Sequence, residues 1–203
     1  MKTVAAFDFD GTITSRDTLG AFIRFSFGNR RFLLGLLRCM SFLVAYKCRL
    51  YPNWKAKQRL FGCFFSGMAL GEFDLLCRAF YRARGNDLIR PAARECVNGH
   101  LRQGHDVVIV SASMDNWVLP FAESLGIKHV AGTQVEVASD GRLTGRFATP
   151  NCYGAEKVRR LLCLFPDRES YRLVAYGDSS GDRELLAYAD EAYYKPFRSK
   201  KLS

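Results

Sequence analysis

Asp8 and Asp10 stand two apart at the end of an apolar run, in VAAFDFDGTIT (Val4–Thr14). On a strand, residues two apart point to the same side. Two carboxylates so close repel and desolvate poorly, so a fold that keeps them must compensate their charge. Other strand-like runs also end in polar groups. DVVIVSAS closes on Ser111-Ala112-Ser113, and YRLVAYGD leads into Gly177-Asp178-Ser179-Ser180-Gly181-Asp182. Lys157 opens a helical pattern ahead of that last run. Three or four acids, a hydroxyl and a lysine at one sheet edge would make a site for a hard cation and a phosphate.

The residue types narrow the chemistry. Mg²⁺ takes oxygen ligands in octahedral geometry. Asp8 and Asp178 can supply carboxylates, and the Asp10 backbone carbonyl can add a ligand. Lys157 and Ser111 suit the equatorial oxygens of a phosphoryl group, with Ser113 a rival for the hydroxyl, and Gly11 lets the backbone come close. A carboxylate can attack phosphorus to give an aspartyl phosphate, while a second acid protonates the leaving oxygen and then activates water. A calcium loop beginning at Asp8 fits poorly: Gly11 falls at its fourth position instead of its sixth, and Leu19 stands where the closing Glu belongs. His100, His105 and His129 have no metal-ligand spacing.

The elements that must position these groups follow from periodicity. Val4 to Asp8 reads as a buried strand closed by a glycine turn. Helical spacing then holds from about Thr18 to Arg84, with breaks at Phe27–Arg30, Tyr51–Trp54 and Ser66–Gly71. Arg90 to Gln103 reads as another helix. Beyond it strands and helices alternate, with a hairpin around Asp140-Gly141. Apolar strands alternating with helices call for an α/β fold with a parallel sheet covered on both faces.

The chain has 203 residues and a net charge of +10. From Arg16 to Arg84 there are thirteen basic and three acidic residues, so this one segment carries the whole imbalance. Such asymmetry points to an anionic partner: a membrane surface, a nucleic acid or an anionic substrate. Phe32 to Tyr46 is too short to span a bilayer and is interrupted by Arg38. Read as one helix, it aligns Arg31, Arg38 and Arg49 opposite an apolar side, the pattern of a helix lying in a membrane interface. A helix packing that apolar side inward is the plainer alternative. The clustered arginines show no clear aromatic interleaving of the kind that suits base stacking, so a nucleic-acid surface ranks last. Seven cysteines with irregular spacing and no C-x-x-C imply reduced thiols. The first residues form an apolar run too short for a signal peptide. The expected location is the cytoplasm, with peripheral attachment to the cytoplasmic membrane face as an extension.

In order, DFDGT, VSAS, the lysine of YGAEK and YGDSSGD resemble the four motifs of the haloacid dehalogenase superfamily. The helical insert and the hairpin SDGRLTG resemble its phosphoserine-phosphatase-like branch. This resemblance implies a Rossmann-like parallel sheet core (residues 1–14 and 86–203) with an inserted helical cap domain (15–85). It implies Asp8 as nucleophile and Asp10 as general acid/base. Ser111 and Lys157 would hold the phosphoryl group together with Gly11, Thr12 and Ala112. Mg²⁺ would sit among Asp8, Asp10, Asp178 and Asp182. The turn ITSRDTLGAF lacks the glutamate that phosphoserine phosphatases use for the substrate amine, and RDTLGAFIRF with its basic, apolar helix resembles the bacterial phosphatidylglycerophosphatases of that branch. The expected substrate is therefore a phosphorylated lipid headgroup, with a soluble phosphoserine-like metabolite, or transfer to an alcohol, as the alternative.

Overall fold

The computed structural model describes residues 1–48 and 50–198. Its central strand, β1 (Lys2–Phe7), pairs in parallel with β2 (Asp106–Met114) on one edge and β6 (Tyr171–Gly177) on the other. A strand with neighbours on both edges and helices on both faces has no solvent side, which is why Val4-Ala5-Ala6-Phe7 is apolar without a break. β3 (His129–Thr133) lies beyond β2 and β7 (Glu191–Tyr194) beyond β6, all in parallel. The period of two along each strand sorts the core into two layers. Phe7, Ile109 and Tyr176 face Val97 of α5 (Pro91–Arg102) and Phe121 of α6 (Asp115–Ser124). Ala6, Val108 and Ala175 face Leu161 of α7 (Ala155–Leu164) and Leu185 of α8 (Arg183–Tyr188).

The chain winds outward from β1 to β2 and β3, then returns to β6 and β7 on the other side. The order therefore reverses at β1, and a crevice opens beyond its carboxyl end. Register places Phe7 opposite Ile109 on one side and Tyr176 on the other, and the Asp8 amide donates to the Tyr176 carbonyl at 2.8 Å. Whatever follows these three strands shares the crevice.

Among the described residues, four α-helices lie between β1 and α5: α1 (Leu19–Arg38), α2 (Met40–Lys47), α3 (Asn53–Phe65) and α4 (Leu70–Leu88). The expected break at Phe27–Arg30 is a bend inside α1 at Gly28, whose φ of 75° falls in the left-handed region that favours glycine. The expected single helix Phe32–Tyr46 is two helices. Cys39 leaves helical geometry (φ −96°, ψ 3°) and is buried, and α2 turns over α3, where the Arg59 guanidinium lies 5.1 Å from the centre of the Phe42 ring. Arg31 and Arg38 thus share one segment, while Arg49 lies outside the described residues. The insert leaves and rejoins the sheet at one place. Thr14 bridges Ile89, Ser15 N donates to Leu88 O and Arg90 N to Ile13 O, both at 2.8 Å. A hairpin of β4 (Val135–Val137) and β5 (Leu143–Phe147) braces α3. There Gly62 and Gly145 let two backbones touch: a Cβ on Gly145 would lie 2.8 Å from the Gly62 Cα.

Insert and sheet are joined by aromatic rings. Phe22 packs 5.3 Å from Phe65 and from Phe80, and 5.2 Å from Trp117 on α6. Phe121 extends the cluster to Phe9, in the loop after β1, at 5.1 Å. Such pairs add to burial an edge-to-face or offset geometry that fixes the relative placement of the elements. Phe22→Ala is expected to lower stability by about 3–5 kcal/mol, read as a shift in the urea midpoint with an unchanged m-value. An unchanged midpoint would show that Phe22 does not join the two parts.

Candidate functional site

Lys157 is the hub of the crevice. It stands in the first turn of α7, is buried, and spends all three ammonium hydrogens on fixed acceptors. It donates to Asp8 Oδ1 at 2.6 Å, Asp182 Oδ1 at 2.5 Å and the Val110 carbonyl at 2.8 Å. The second Asp8 oxygen accepts from Thr12 Oγ1 at 3.2 Å. The second Asp182 oxygen accepts from the amides of Asp178 and Ser179, at 3.0 and 2.9 Å, and from the Ser179 hydroxyl at 2.9 Å. Asp178 is paired by Arg198, reaching back from beyond β7 at 2.5 Å.

Asp10 follows a separate path. Its Oδ1 accepts from the amide and hydroxyl of Thr18, both at 2.7 Å, and its Oδ2 from Ser113 Oγ at 2.5 Å. This separates the two rival serines: Ser111 lines the cavity above Asp8, whereas Ser113 holds Asp10. Ser111 Oγ accepts from the Ser113 amide at 3.0 Å. Gly11 has φ +86°, and a Cβ there would fall 2.5 Å from Asp178 Oδ2. Only a glycine lets that loop fold against the carboxylate.

Burial sets the electrostatics. It raises the Asp8 carboxyl to about 7, with Asp182 and Asp10 adding to the rise and Lys157 opposing it. Burial also raises Asp10, helped by the charge of Asp17. Asp182 is pushed up by burial too, but the charge and hydrogen bond of Lys157 outweigh this and hold it below the ordinary carboxylate value. For Lys157, burial favours the neutral amine, and its two carboxylate partners reverse the balance and hold it charged.

Asp8, Asp178 and Asp182 each present a carboxylate oxygen within 4.8 Å of the others'. A hard divalent cation takes oxygen donors of this kind, and it would relieve the burial that raises Asp8. The donor set fits such an ion. The Asp10 carboxylate is not one of the three.

The residues expected to hold the cation and the phosphoryl group all lie at this crevice: Asp8, Asp10, Gly11 and Thr12 after β1, Ser111 and Ala112 on β2, Lys157 on α7, and Asp178 and Asp182 after β6. Above them is a cavity of ≈ 440 Å³. Two charged groups there escaped the sequence reading. Lys57 descends from α3 and donates to the Ala112 carbonyl at 2.8 Å; burial lowers its pKa although Asp10, Asp17 and Asp8 all face it. Asp17 also lines the cavity, so the turn that lacks the glutamate of phosphoserine phosphatases still brings a carboxylate there. Lys57 had a readable signal: Asn53, Ala56, Lys57 and Leu60 all line the cavity, at the spacing of one helical face. Asp17 had none, because its direction depends on the loop that carries it.

The model of the haloacid dehalogenase-like hydrolase family matches residues 5–187. Protein CicA of Caulobacter vibrioides is 40% identical over 97% of this chain and 87% of its own. A histidinol-phosphatase of Neisseria meningitidis serogroup C is 26% identical over 94% of this chain and 89% of its own. Among solved structures, a phosphoserine phosphohydrolase-like protein from Francisella tularensis superposes with a TM-score of 0.68 at 16% identity, covering 96% of this chain and 86% of that one.

The hub has a measurable signature in the metal-free protein. Lys157→Met leaves Asp8 and Asp182 buried without their cation and is expected to cost roughly 3–5 kcal/mol. The deficit should be smaller at pH 5 than at pH 8. Without Lys157, the raised folded-state pKa of Asp8 climbs further above its ordinary 3.8. The folded variant therefore holds a proton that the unfolded chain has lost, and it loses stability as pH rises through that interval. Urea melts at the two pH values test this, and equal deficits would refute it.

Proposed function

Since the chain belongs to the haloacid dehalogenase-like hydrolases and is a phosphatase, we propose that it hydrolyses a small, soluble phosphomonoester with Mg²⁺, through an aspartyl phosphate on Asp8. The observation that carries this reading is the Asp8 carboxylate at the end of the central strand, 2.6 Å from a buried ammonium and within 4.8 Å of two further carboxylates. Asp8 and Asp178, with the Asp10 backbone carbonyl, would hold the ion, and Asp182 would orient that shell. Mg²⁺ supplies charge neutralisation, both of the phosphoryl oxygens and among the clustered acids.

An Asp8 oxygen attacks phosphorus as the bond to the leaving oxygen breaks, and Asp10 gives that oxygen its proton. Asp10 then takes a proton from water, whose oxygen attacks the aspartyl phosphate and releases inorganic phosphate and free Asp8. The raised pKa of Asp10 suits a group that must hold a proton and give it up. Lys157, Ser111, Thr12 and the loop at Gly11 and Ala112 surround the position of the phosphoryl oxygens. Asp17 and Lys57 then meet the leaving alcohol with charges of opposite sign, which suits a small metabolite carrying both an amine and an anionic or polar group. The histidinol-phosphatase relative supports this class, and on that ground it ranks ahead of the lipid headgroup expected from sequence. We assign residues 1–14 and 86–203 to the catalytic core and 15–85 to a cap that closes over the cavity and excludes water. Seven free cysteines suit a reducing compartment such as the cytoplasm.

One observation favours a lipid phosphate as the second reading. An apolar groove of ≈ 740 Å³, lined by Trp54, Phe147 and Pro150, meets the catalytic cavity at Asn53 and Tyr153. A screen of soluble phosphomonoesters beside phosphorylated lipids in detergent separates the two, and exclusive turnover of the lipids would reverse the ranking.

Asp8→Asn is expected to lower kcat at least about 10³-fold and to abolish the hydroxylamine-labile phosphate that quenched wild-type enzyme carries. Retained turnover would remove the nucleophile assignment. Asp10→Asn should lose about 10²–10⁴-fold while still forming some phosphoenzyme.

Lys57 gives a pH test. Its cation is present below a pKa that burial has lowered from 10.5, and it is lost as pH rises through that value. kcat/KM should therefore fall on the alkaline side below pH 10.5, and Lys57→Arg should move that limb upward. An unmoved limb would exclude Lys57 from substrate binding.

A further inference from the structure

The outward side of α1 and α2 is apolar where a soluble surface is ordinarily polar. Leu33, Leu34, Leu37, Met40 and Val44 are between 47% and 61% exposed. Large side chains exposed together in this way mark an interaction surface. At about 100° per residue, the inner arc of the second half of α1 is Phe32, Gly35 and Leu36, which with Cys39 just past the helix end pack toward α3 and the aromatic cluster. The outer arc runs Leu33, Leu37, Arg30, Leu34, Arg38, Arg31. Apolar and cationic side chains therefore alternate on one face instead of occupying opposite ones. Lys47 adds a fourth exposed cation at the end of α2. Between Asp17 and Glu72 the sequence contains no acidic residue at all.

The cations continue around the insert. A groove of ≈ 790 Å³ beside this face is lined by Arg38, Lys55, Arg59 and Arg146, with Trp54 and Tyr51 at its walls. Arg38 belongs to both surfaces. Leucines that need an apolar medium, cations that need anions just above it, and a basic groove at the rim match one environment, the boundary of an anionic bilayer. A second copy of the chain fits badly, because it would bring the same arginines face to face. No helix among the described residues is long and apolar enough to cross a membrane, so the contact is peripheral.

We propose that the outer face of α1 and α2 docks on anionic phospholipid, with Leu33, Leu34, Leu37, Met40 and Val44 at the acyl boundary and the Arg38–Arg59–Arg146 groove over a lipid phosphate. The proposal is independent of which phosphomonoester the catalytic cavity cleaves. It concerns where the enzyme stands, and none of these side chains lines that cavity.

Flotation of the full chain with vesicles of phosphatidylglycerol and phosphatidylcholine, beside vesicles of phosphatidylcholine alone, tests it. At low salt the protein should float with the anionic vesicles and stay behind with the neutral ones. Near ~1 M salt, where the screening length is about 3 Å, the bound fraction should fall. Leu33→Gln/Leu34→Gln/Leu37→Gln and, separately, Arg30→Gln/Arg31→Gln/Arg38→Gln should each reduce binding roughly tenfold or more, with turnover of a soluble substrate within about twofold because the catalytic cavity is untouched.

A second measurement needs no variant. Trp54 is partly exposed beside the groove and Trp117 is buried, so brominated phosphatidylglycerol should quench the exposed component of the fluorescence. Absence of flotation on anionic vesicles at low salt, absence of quenching, or equal binding to neutral vesicles overturns the proposal. So does a wild-type dimer that the leucine variant turns into a monomer, which would make this face a contact between copies.

Discussion

One buried ammonium organises this molecule. Lys157 bonds to the carboxylate after β1, the carboxylate after β6 and the last carbonyl of the β2 core segment. These three strands are neighbours in the sheet, so their ends are already close, but two acids in a low-dielectric crevice would drive those ends apart or pick up protons. A single cation with three hydrogens, fixed on the first turn of a helix, lets the crevice stay both closed and charged. Its cost in desolvation is offset only because each hydrogen finds an acceptor. The raised Asp8 and depressed Asp182 follow from the same bond network: Asp182 has backbone donors on its second oxygen, whereas Asp8 has a single hydroxyl.

This arrangement explains which parts were legible from sequence. Asp8 and Asp178 could be read because a parallel sheet makes strand ends converge and each directly follows a strand run, whereas Asp182, five residues past β6, was marked by the motif it closes. Two breaks in the insert could be read from residue type, at Pro52 and around Gly67, while Gly28 marks a bend inside α1 and the break at Cys39 went unread. Tertiary facts could not be read. The end of α1 at Cys39 carries no glycine or proline; it follows from α2 folding back over α3 and Arg59. Lys57 shares a helical face with Asn53, Ala56 and Leu60, a spacing the sequence carries, but that this face looks into the cavity follows from how α3 is placed. Arg198 reaches Asp178 across the sheet edge from a loop with no distinguishing sequence.

The insert divides its surfaces by chemistry. Its inner side is aromatic and ties it to Trp117 and Phe121, and its lower side brings one lysine and one aspartate to the cavity. Its outer side combines leucine with arginine and excludes acids over more than fifty positions, from Thr18 to Gly71. A segment whose charge served solubility alone would mix both signs. The inner side must fit a sheet that does not change, while the outer side is free to suit an environment, so the two can be altered separately.

The central position of β1 has a consequence for how the protein is made. β1 leaves the ribosome before either of the strands it needs on its two edges. Val4 waits for Asp106 on one side and for Leu173 on the other. Until β6 has been synthesised, one edge of this unbroken apolar strand has nothing to pair with. Contacts of such separation in sequence close slowly, and unpaired strands of this kind are where nascent chains aggregate. The helices that emerge between these strands, rich in local contacts and strongly cationic, are placed to keep the growing chain dispersed until its sheet can close.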